Sequence, residues 1–298
     1  MIKNYLRLAR IDHWVKNVFV IPGALVVLFS LDNSEWFKPS TLLNFFLILL
    51  AACLTSSANY TINEWVDRTS DSYHPEKSKR PAVRLQSINA RGVFLQYSLL
   101  SAIAFGLAFF TTDPTRVSLL LVIFLISGIV YNIRPLRLKE WRVLDVAVEG
   151  ANNPIRFLLG WSTIKTDRFP NGYLLVGYFA SGVFLMIMKR YAEKKYFDKL
   201  ELDPYRYRKS LSRYSYSGII AIAITSATIS ISTLGIYAYG IDPFLVFTTI
   251  PLTALFLIYY FLGLHSHMSI QHPEKLWNKY VLLLFAFCVL VLVWVRQA

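Results

Sequence analysis

Apolar residues in this chain are gathered into runs of roughly twenty, the helix length that crosses a hydrocarbon core of about 30 Å. Such runs restrict the fold severely, because lipid offers the backbone no hydrogen-bonding partner and a spanning segment must satisfy its own amides and carbonyls. Nine candidate spans are read at 17–32, 41–62, 92–111, 114–132, 143–162, 172–193, 214–238, 242–262 and 278–296. The first is short and carries Pro22 and Gly23, but it lacks the small-residue cleavage pattern of a signal peptide and is kept as a span. A chain that is 55% hydrophobic and 16% charged does not suit an ordinary soluble domain. The longest connections, 63–91 and 194–213, are too small to fold alone, so residues 1–298 are read as a single all-α transmembrane domain.

The formal net charge of +13 could point to nucleic acid, and its placement argues against that. Of the 31 Lys and Arg, only Lys38, Arg116, Lys165, Arg168 and Arg296 fall on one side of a nine-span arrangement, and Arg156 falls within a span. All others share the opposite side, which the positive-inside rule makes cytoplasmic, together with the N-terminus. Topology and anionic lipid account for most of this charge, and membrane lipids are the partners it implies. Cys53 and Cys288 both lie in apolar runs, which supports neither a disulfide framework nor a thiolate metal site.

Two acidic stripes break the apolar pattern. Asn63, Asp67 and Asp71 recur every fourth residue at the end of the second span, so a helix places them on one face, with Glu64 beside them. Hard oxygen ligands in that pattern suit Mg²⁺, which is commonly held by one or two carboxylates together with substrate phosphates. The competing structural explanation is a solvated helix end with its acids paired to Arg68. In the fifth span Asp145, Glu149, Asn152 and Arg156 share another helical face. Ionisable groups there are expensive in lipid and are expected to face the bundle interior. Internal pairs, Glu149 with Arg156 or Asp145 with Arg142, are the structural alternative.

Basic groups accompany both stripes: Lys77 and Arg80 after the first, Arg134, Arg137 and Lys139 before the second, and Lys189 with Arg190 at the end of the sixth span. Cations beside a carboxylate–metal centre are what a polyphosphate requires, since they absorb charge on the leaving group. The tetrapeptide at His74–Lys77 recurs at 272–275, but Pro after His mainly marks a turn. His265 and His267 would lie on different helical faces. No Gly-rich phosphate loop or nucleophile elbow is present.

These residues resemble the UbiA-type superfamily of intramembrane prenyltransferases, whose first signature is Asn-Asp-x-x-Asp-x-x-x-Asp. It stands here as Asn63-Glu64-x-x-Asp67-x-x-x-Asp71, with Glu64 replacing Asp, and the second acidic motif stands as Asp145-x-x-x-Glu149. The resemblance implies a nine-transmembrane-helix UbiA-type bundle with a central cavity open to the cytoplasmic side of a bacterial inner membrane. Within the superfamily, Arg10-x-Asp12-His13-Trp14-Val15-Lys16-Asn17, His74-Pro75-x-Lys77-x-x-Arg80-Pro81, the stretch from Tyr131 to Lys139, and Lys189-Arg190-Tyr191-Ala192-Glu193 look most like the decaprenyl-phosphate phosphoribosyltransferase branch. That branch implies phosphoribosyl diphosphate as donor and a long polyprenyl phosphate as acceptor.

On that resemblance, one or two Mg²⁺ ions are expected on Asn63, Glu64, Asp67, Asp71, Asp145 and Glu149, with Asp67, Asp71, Asp145 and Glu149 carrying catalysis. Substrate phosphates are expected at Lys16, Asn17, Lys77, Arg80, Tyr131, Lys139, Arg156, Lys189 and Arg190. The alternative exchanges donor and acceptor, so that a prenyl diphosphate alkylates an aromatic or other acceptor with the same metal. Nucleic acid is not an expected partner, and self-association is left open.

Overall fold

The computed structural model describes residues 2–29, 38–84 and 88–265, and these are helical almost throughout. In chain order the α-helices are α1 (Ile2–Leu8), α2 (Val20–Phe29), α3 (Pro39–Asp71), α4 (Pro81–Arg84), α5 (Ala90–Phe109), α6 (Pro114–Asn132), α7 (Leu144–Trp161), α8 (Gly172–Lys199), α9 (Pro204–Tyr207), α10 (Lys209–Ser212), α11 (Tyr216–Ile241) and α12 (Thr249–His265). Seven helical segments among the described residues are long and apolar enough to cross a membrane: Asn4–Leu28, α3, α5, α6, α8, α11 and Pro243–His265. Helix α7 matches the fifth expected span and packs among them; its interior acids and arginine set it apart in composition. The expected span at 278–296 lies outside the described residues, as do His267 and the second copy of the tetrapeptide.

Polar residues at the ends of the apolar runs start the helices. Pro39 and Pro114 open α3 and α6, where a missing amide hydrogen costs nothing. The side chains of Asn89, Asp113, Asn171 and Ser215 accept hydrogen bonds from the free amides of α5, α6, α8 and α11. Two spans run past their expected ends. Helix α3 has 33 residues, roughly 50 Å at 1.5 Å per residue, so its last turns project beyond a 30 Å hydrocarbon core and carry the first acidic stripe with them. Helix α8 likewise continues to Lys199. The first expected span, 17–32, instead begins with a broken segment, a 3-10 stretch over Ile11–Phe19 that leads into α2 after Arg10 adopts a left-handed conformation (φ 47°).

Two apolar clusters hold the bundle. One joins α3, α5 and α6 to α2 and α7 through Ile48, Ala52, Ala104, Leu121, Val20 and Leu159. The other joins α7, α8, α11 and α12 through Val146, Phe184, Ile187, Ile219 and Phe256. Helix α7 belongs to both and is the shared wall. Its approach to α2 depends on two glycines: a Cβ on Gly160 would stand 1.9 Å from the Val20 carbonyl oxygen, and one on Gly23 1.9 Å from that of Phe157. Small residues serve membrane helices this way because close backbone contact replaces the hydrophobic drive that lipid does not supply. Gly160→Val is therefore expected to separate α2 from α7, costing on the order of 1–3 kcal/mol. A lower thermal midpoint in detergent checks this; an unchanged midpoint would contradict the packing.

Candidate active site

Alternation of the spans brings the C-terminal ends of α3, α6 and α8 and the N-terminal ends of α7 and α11 to one end of the bundle. The short helices α9 and α10 close over them. Every acid of the two sequence stripes lies at this end, and a basic group meets each. The Lys139 ammonium donates to Asp67 and also reaches Asn63 Oδ1 (3.3 Å) and Asn132 Oδ1 (2.8 Å). Arg137 stands 3.2 Å from Asp67 Oδ1. Arg80 bridges Asp71 Oδ2 at 2.8 Å and Glu64 Oε1 at 3.1 Å, and Arg10 approaches Glu64 at 3.5 Å. A cavity of about 90 Å³ adjoins Asp67, walled by Ser70, Arg137, Lys139, Tyr205 and Arg208.

The second stripe centres on Arg190, which is 1% exposed. Its guanidinium donates to Asp145 Oδ2 (2.8 Å) and Glu193 Oε2 (2.8 Å), with Tyr131 Oη at 3.4 Å and Glu149 Oε2 at 3.5 Å. Ser210 and Tyr214 hydroxyls also donate to Asp145, at 3.1 and 2.6 Å, which ties α10 and the start of α11 to α7. Tyr214 Oη in turn accepts the amide of Val143, a β-branched residue at φ 72°. Side chains rarely adopt that conformation, and here the surrounding hydrogen bonds hold it. Lys77 pairs with Glu193 (2.9 Å) and donates to Tyr207.

Charge at this end follows from burial and pairing. Burial draws the Lys139 ammonium down to about 8, with Asp67 working the other way. Burial, the largest single influence, would lower Lys77 and Arg80, but Glu193, Tyr207 and Asp71 together outweigh it for Lys77, and Glu64, Asp71 and Tyr207 together for Arg80, so both are raised. The Tyr207 hydroxyl is raised by burial and then by Glu193. Arg208 donates to Tyr131 Oη at 3.1 Å, beside Arg190, and lines the cavity next to Asp67, which places it between the two stripes.

The pairings anticipated as structural alternatives do not form. Arg68 lies 3.9 Å over the Trp65 ring, Arg142 lies 5.6 Å over Tyr214, and Arg156 donates to Asn17 Oδ1 at 2.9 Å. Asn152 accepts from Ser127. The sequence picked out Lys77, Arg80, Tyr131, Lys139 and Arg190, all of which reach this end. It passed over Glu193, Arg208, Tyr207, Asn132, Ser210 and Tyr214 as site groups. Glu193 had a legible signal, since it stands three residues after Arg190 on the same helix. Asn132 ends α6, and the others come from the connection between α8 and α11, whose placement depends on packing.

The expected six-ligand centre is not assembled as one cluster. Among the described residues no three His, Cys, Asp or Glu side chains stand close enough to hold one metal ion. Asp145 is fully buried and committed to Arg190, Ser210 and Tyr214, whereas the Glu149 side chain keeps 30% exposure. The donor chemistry nonetheless fits a divalent cation on the first stripe. Asn63, Asp67 and Asn132 aim three oxygens at the Lys139 ammonium, so a positive charge already sits where hard oxygen ligands converge.

Seven apolar helices and a charged end make this an integral membrane protein, and its family makes it a transferase. The chain belongs to the UbiA prenyltransferase family, which it matches over residues 19–289. It is 23% identical over 240 residues, 80% of its own length and 68% of the relative's, to a decaprenyl-phosphate phosphoribosyltransferase of Corynebacterium glutamicum. A UbiA homologue from Archaeoglobus fulgidus, solved with DMAPP and Mg²⁺, superposes with a TM-score of 0.64 at 18% identity, covering 90% of this chain and 98% of that one. A digeranylgeranylglyceryl phosphate synthase superposes with a TM-score of 0.63 at 16% identity, covering 97% and 96%. At these identities the structural likeness establishes the fold.

Proposed function

We propose that the chain transfers the 5-phosphoribosyl group from phosphoribosyl diphosphate to a long-chain polyprenyl phosphate and releases diphosphate. The observation that carries this reading is the surplus of cations over carboxylates at the site. Arg10, Lys77, Arg80, Arg137, Lys139 and Arg190 already answer the acids, and Lys16, Lys189 and Arg208 remain without a carboxylate within 4.0 Å among the described residues. One diphosphate would leave that charge unused; a donor with two phosphate-bearing positions and a phosphorylated acceptor together present three. The similarity to the C. glutamicum enzyme points the same way.

In this reading Asn63, Asp67 and Asp71, with Glu64 beside them, would hold Mg²⁺, and Glu149 would offer its half-buried carboxylate from the second stripe. Bound Mg²⁺ neutralises charge on the diphosphate and makes it a better leaving group. Asp145 acts through Arg190, which it orients toward the site. Lys139, which holds Asn63 and Asp67 here, would turn its ammonium to the leaving oxygens once the diphosphate binds, and Arg80 and Arg137 would do the same from either side. The C1–O bond to diphosphate breaks while ribose C1 gains oxocarbenium character, and an oxygen of the acceptor phosphate forms the new bond. That oxygen is already anionic, so no general base is required.

Labelled phosphoribosyl diphosphate incubated with purified protein, Mg²⁺ and polyprenyl phosphate is expected to deliver label to the organic phase, and chelation of Mg²⁺ to stop it. The second reading, prenyl transfer to an aromatic or other acceptor, has its support in the DMAPP-bound A. fulgidus relative. Alkylation of an aromatic acid by a prenyl diphosphate, with no lipid-linked ribose, would establish that reading instead.

A further inference from the structure

The connection from α6 to α7 carries a second cavity, of about 340 Å³, next to the one at Asp67. That volume lies within the roughly 300–1,000 Å³ of small-ligand clefts. Arg134, Arg137, Lys209 and Arg213 line it against a single acid, Glu140. The acid is already committed, with Arg137 Nε 2.7 Å and Lys209 Nζ 3.1 Å from its oxygens. Arg134 and Arg213 have no carboxylate within 4.0 Å among the described residues. Arg134, grouped by its position in the sequence with the cations of the second stripe, is exposed and lines this groove, not the cavity at Asp67.

Apolar groups frame these cations. Leu136 and Trp141, 52% and 55% exposed, wall the groove, and Arg213 lies 6.0 Å over the Trp141 ring. Leu119, Val122, Ile126, Ile129 and Ile133 are all exposed and alternate at three and four residues, so they form one track down the face of α6 that meets lipid and end beside Arg134. Tryptophan at the boundary, cations at headgroup level and an apolar track leading away from them are the outline of a phospholipid, whereas a free anion would need only the cations. With Glu140 committed, the groove keeps no acid for the ammonium of a zwitterionic headgroup.

We propose that this groove seats the headgroup of an anionic phospholipid, with Arg134 and Arg213 on its phosphate and its chains along α6. Arg137, Glu140, Tyr205 and Lys209 wall both cavities, and Arg137 also stands 3.2 Å from Asp67. A seated headgroup therefore bears on the far side of the wall that meets the first acidic stripe.

Full-length protein in neutral detergent with EDTA, mixed with phosphatidylglycerol, phosphatidylcholine or farnesyl phosphate, tests the site by native mass spectrometry and thermal midpoint. Phosphatidylglycerol should be retained and should raise the midpoint, and phosphatidylcholine should do neither. Arg134→Gln and Arg213→Gln should each weaken retention about fivefold, and the double variant more than about tenfold. Lys79→Gln, which removes another exposed cation from the same end, should leave retention unchanged. Equal retention of phosphatidylcholine, an equal loss in Lys79→Gln, or no loss in the double variant would overturn the site. Displacement of phosphatidylglycerol by an equal concentration of farnesyl phosphate would overturn it too, because the groove would then belong to the acceptor. No turnover is read, so the outcome is independent of which group the protein transfers.

Discussion

Asp67→Asn is expected to lower the turnover of lipid-linked product by about 100- to 1,000-fold, the scale on which a preorganised charge contact contributes to catalysis. Asp67 is where the first stripe, the α6–α7 connection and the cavity beside Ser70 meet. Neutralising it weakens the oxygen set for the cation and leaves Lys139 and Arg137 facing one another without a shared anion. Lys139 is 4% exposed, so the variant also carries a nearly buried, under-compensated ammonium. Loss of one partner from such a pair costs about 3–5 kcal/mol. Stability and activity are therefore expected to fall together in the single variant and to separate in a double one. Asp67→Asn with Lys139→Met should recover much of the thermal midpoint and none of the turnover. If the double variant regained activity along with stability, Asp67 would be a structural residue and the mechanism would be wrong. Asp71→Asn should be milder in stability, because Arg80 keeps Glu64 as a second partner at 3.1 Å.

Arg190→Met should be the most destabilising change in the charged end. Its guanidinium is the shared partner of Asp145 and Glu193, both with no exposed surface, and it also approaches Tyr131 and Glu149. Deleting it strands two buried carboxylates, with a cost of about 3–5 kcal/mol or more. Arg190→Lys should rescue only part of that, since one ammonium cannot replace a planar fork that serves Asp145 and Glu193 at once. Size-exclusion profiles and thermal midpoints in detergent check both variants. A monodisperse Arg190→Met protein with an unchanged midpoint would show that the carboxylates find other partners and that the network is not what joins α7 to α8.

Much of the fold was legible in the chain. Polar caps and Pro at helix starts mark where α3, α5, α6, α8 and α11 begin to within about two residues of the expected spans, because capping is local chemistry. The ends were less legible: α3 and α8 continue outward as polar helices, where hydropathy no longer reports a boundary. The acids themselves were also legible, because ionisable residues stand out in apolar runs. Their partners were not. Lys139 is expected at a substrate phosphate and not on Asp67, and Arg208 reads as a topology charge that nothing local distinguishes from Arg213.

The sequence by itself determined that this chain crosses a membrane repeatedly and that two helices carry acids on their inner faces, since both follow from period and composition. Tertiary structure decided which cation answers which acid. It separated a buried Asp145 from a half-buried Glu149 one turn away, and it left Lys16 and Lys189 without a carboxylate within 4.0 Å among the described residues. Those outcomes depend on how α3, α7 and α8 cross and on where short connections settle over them. Such placements arise from packing between residues distant in the chain, which no local pattern encodes.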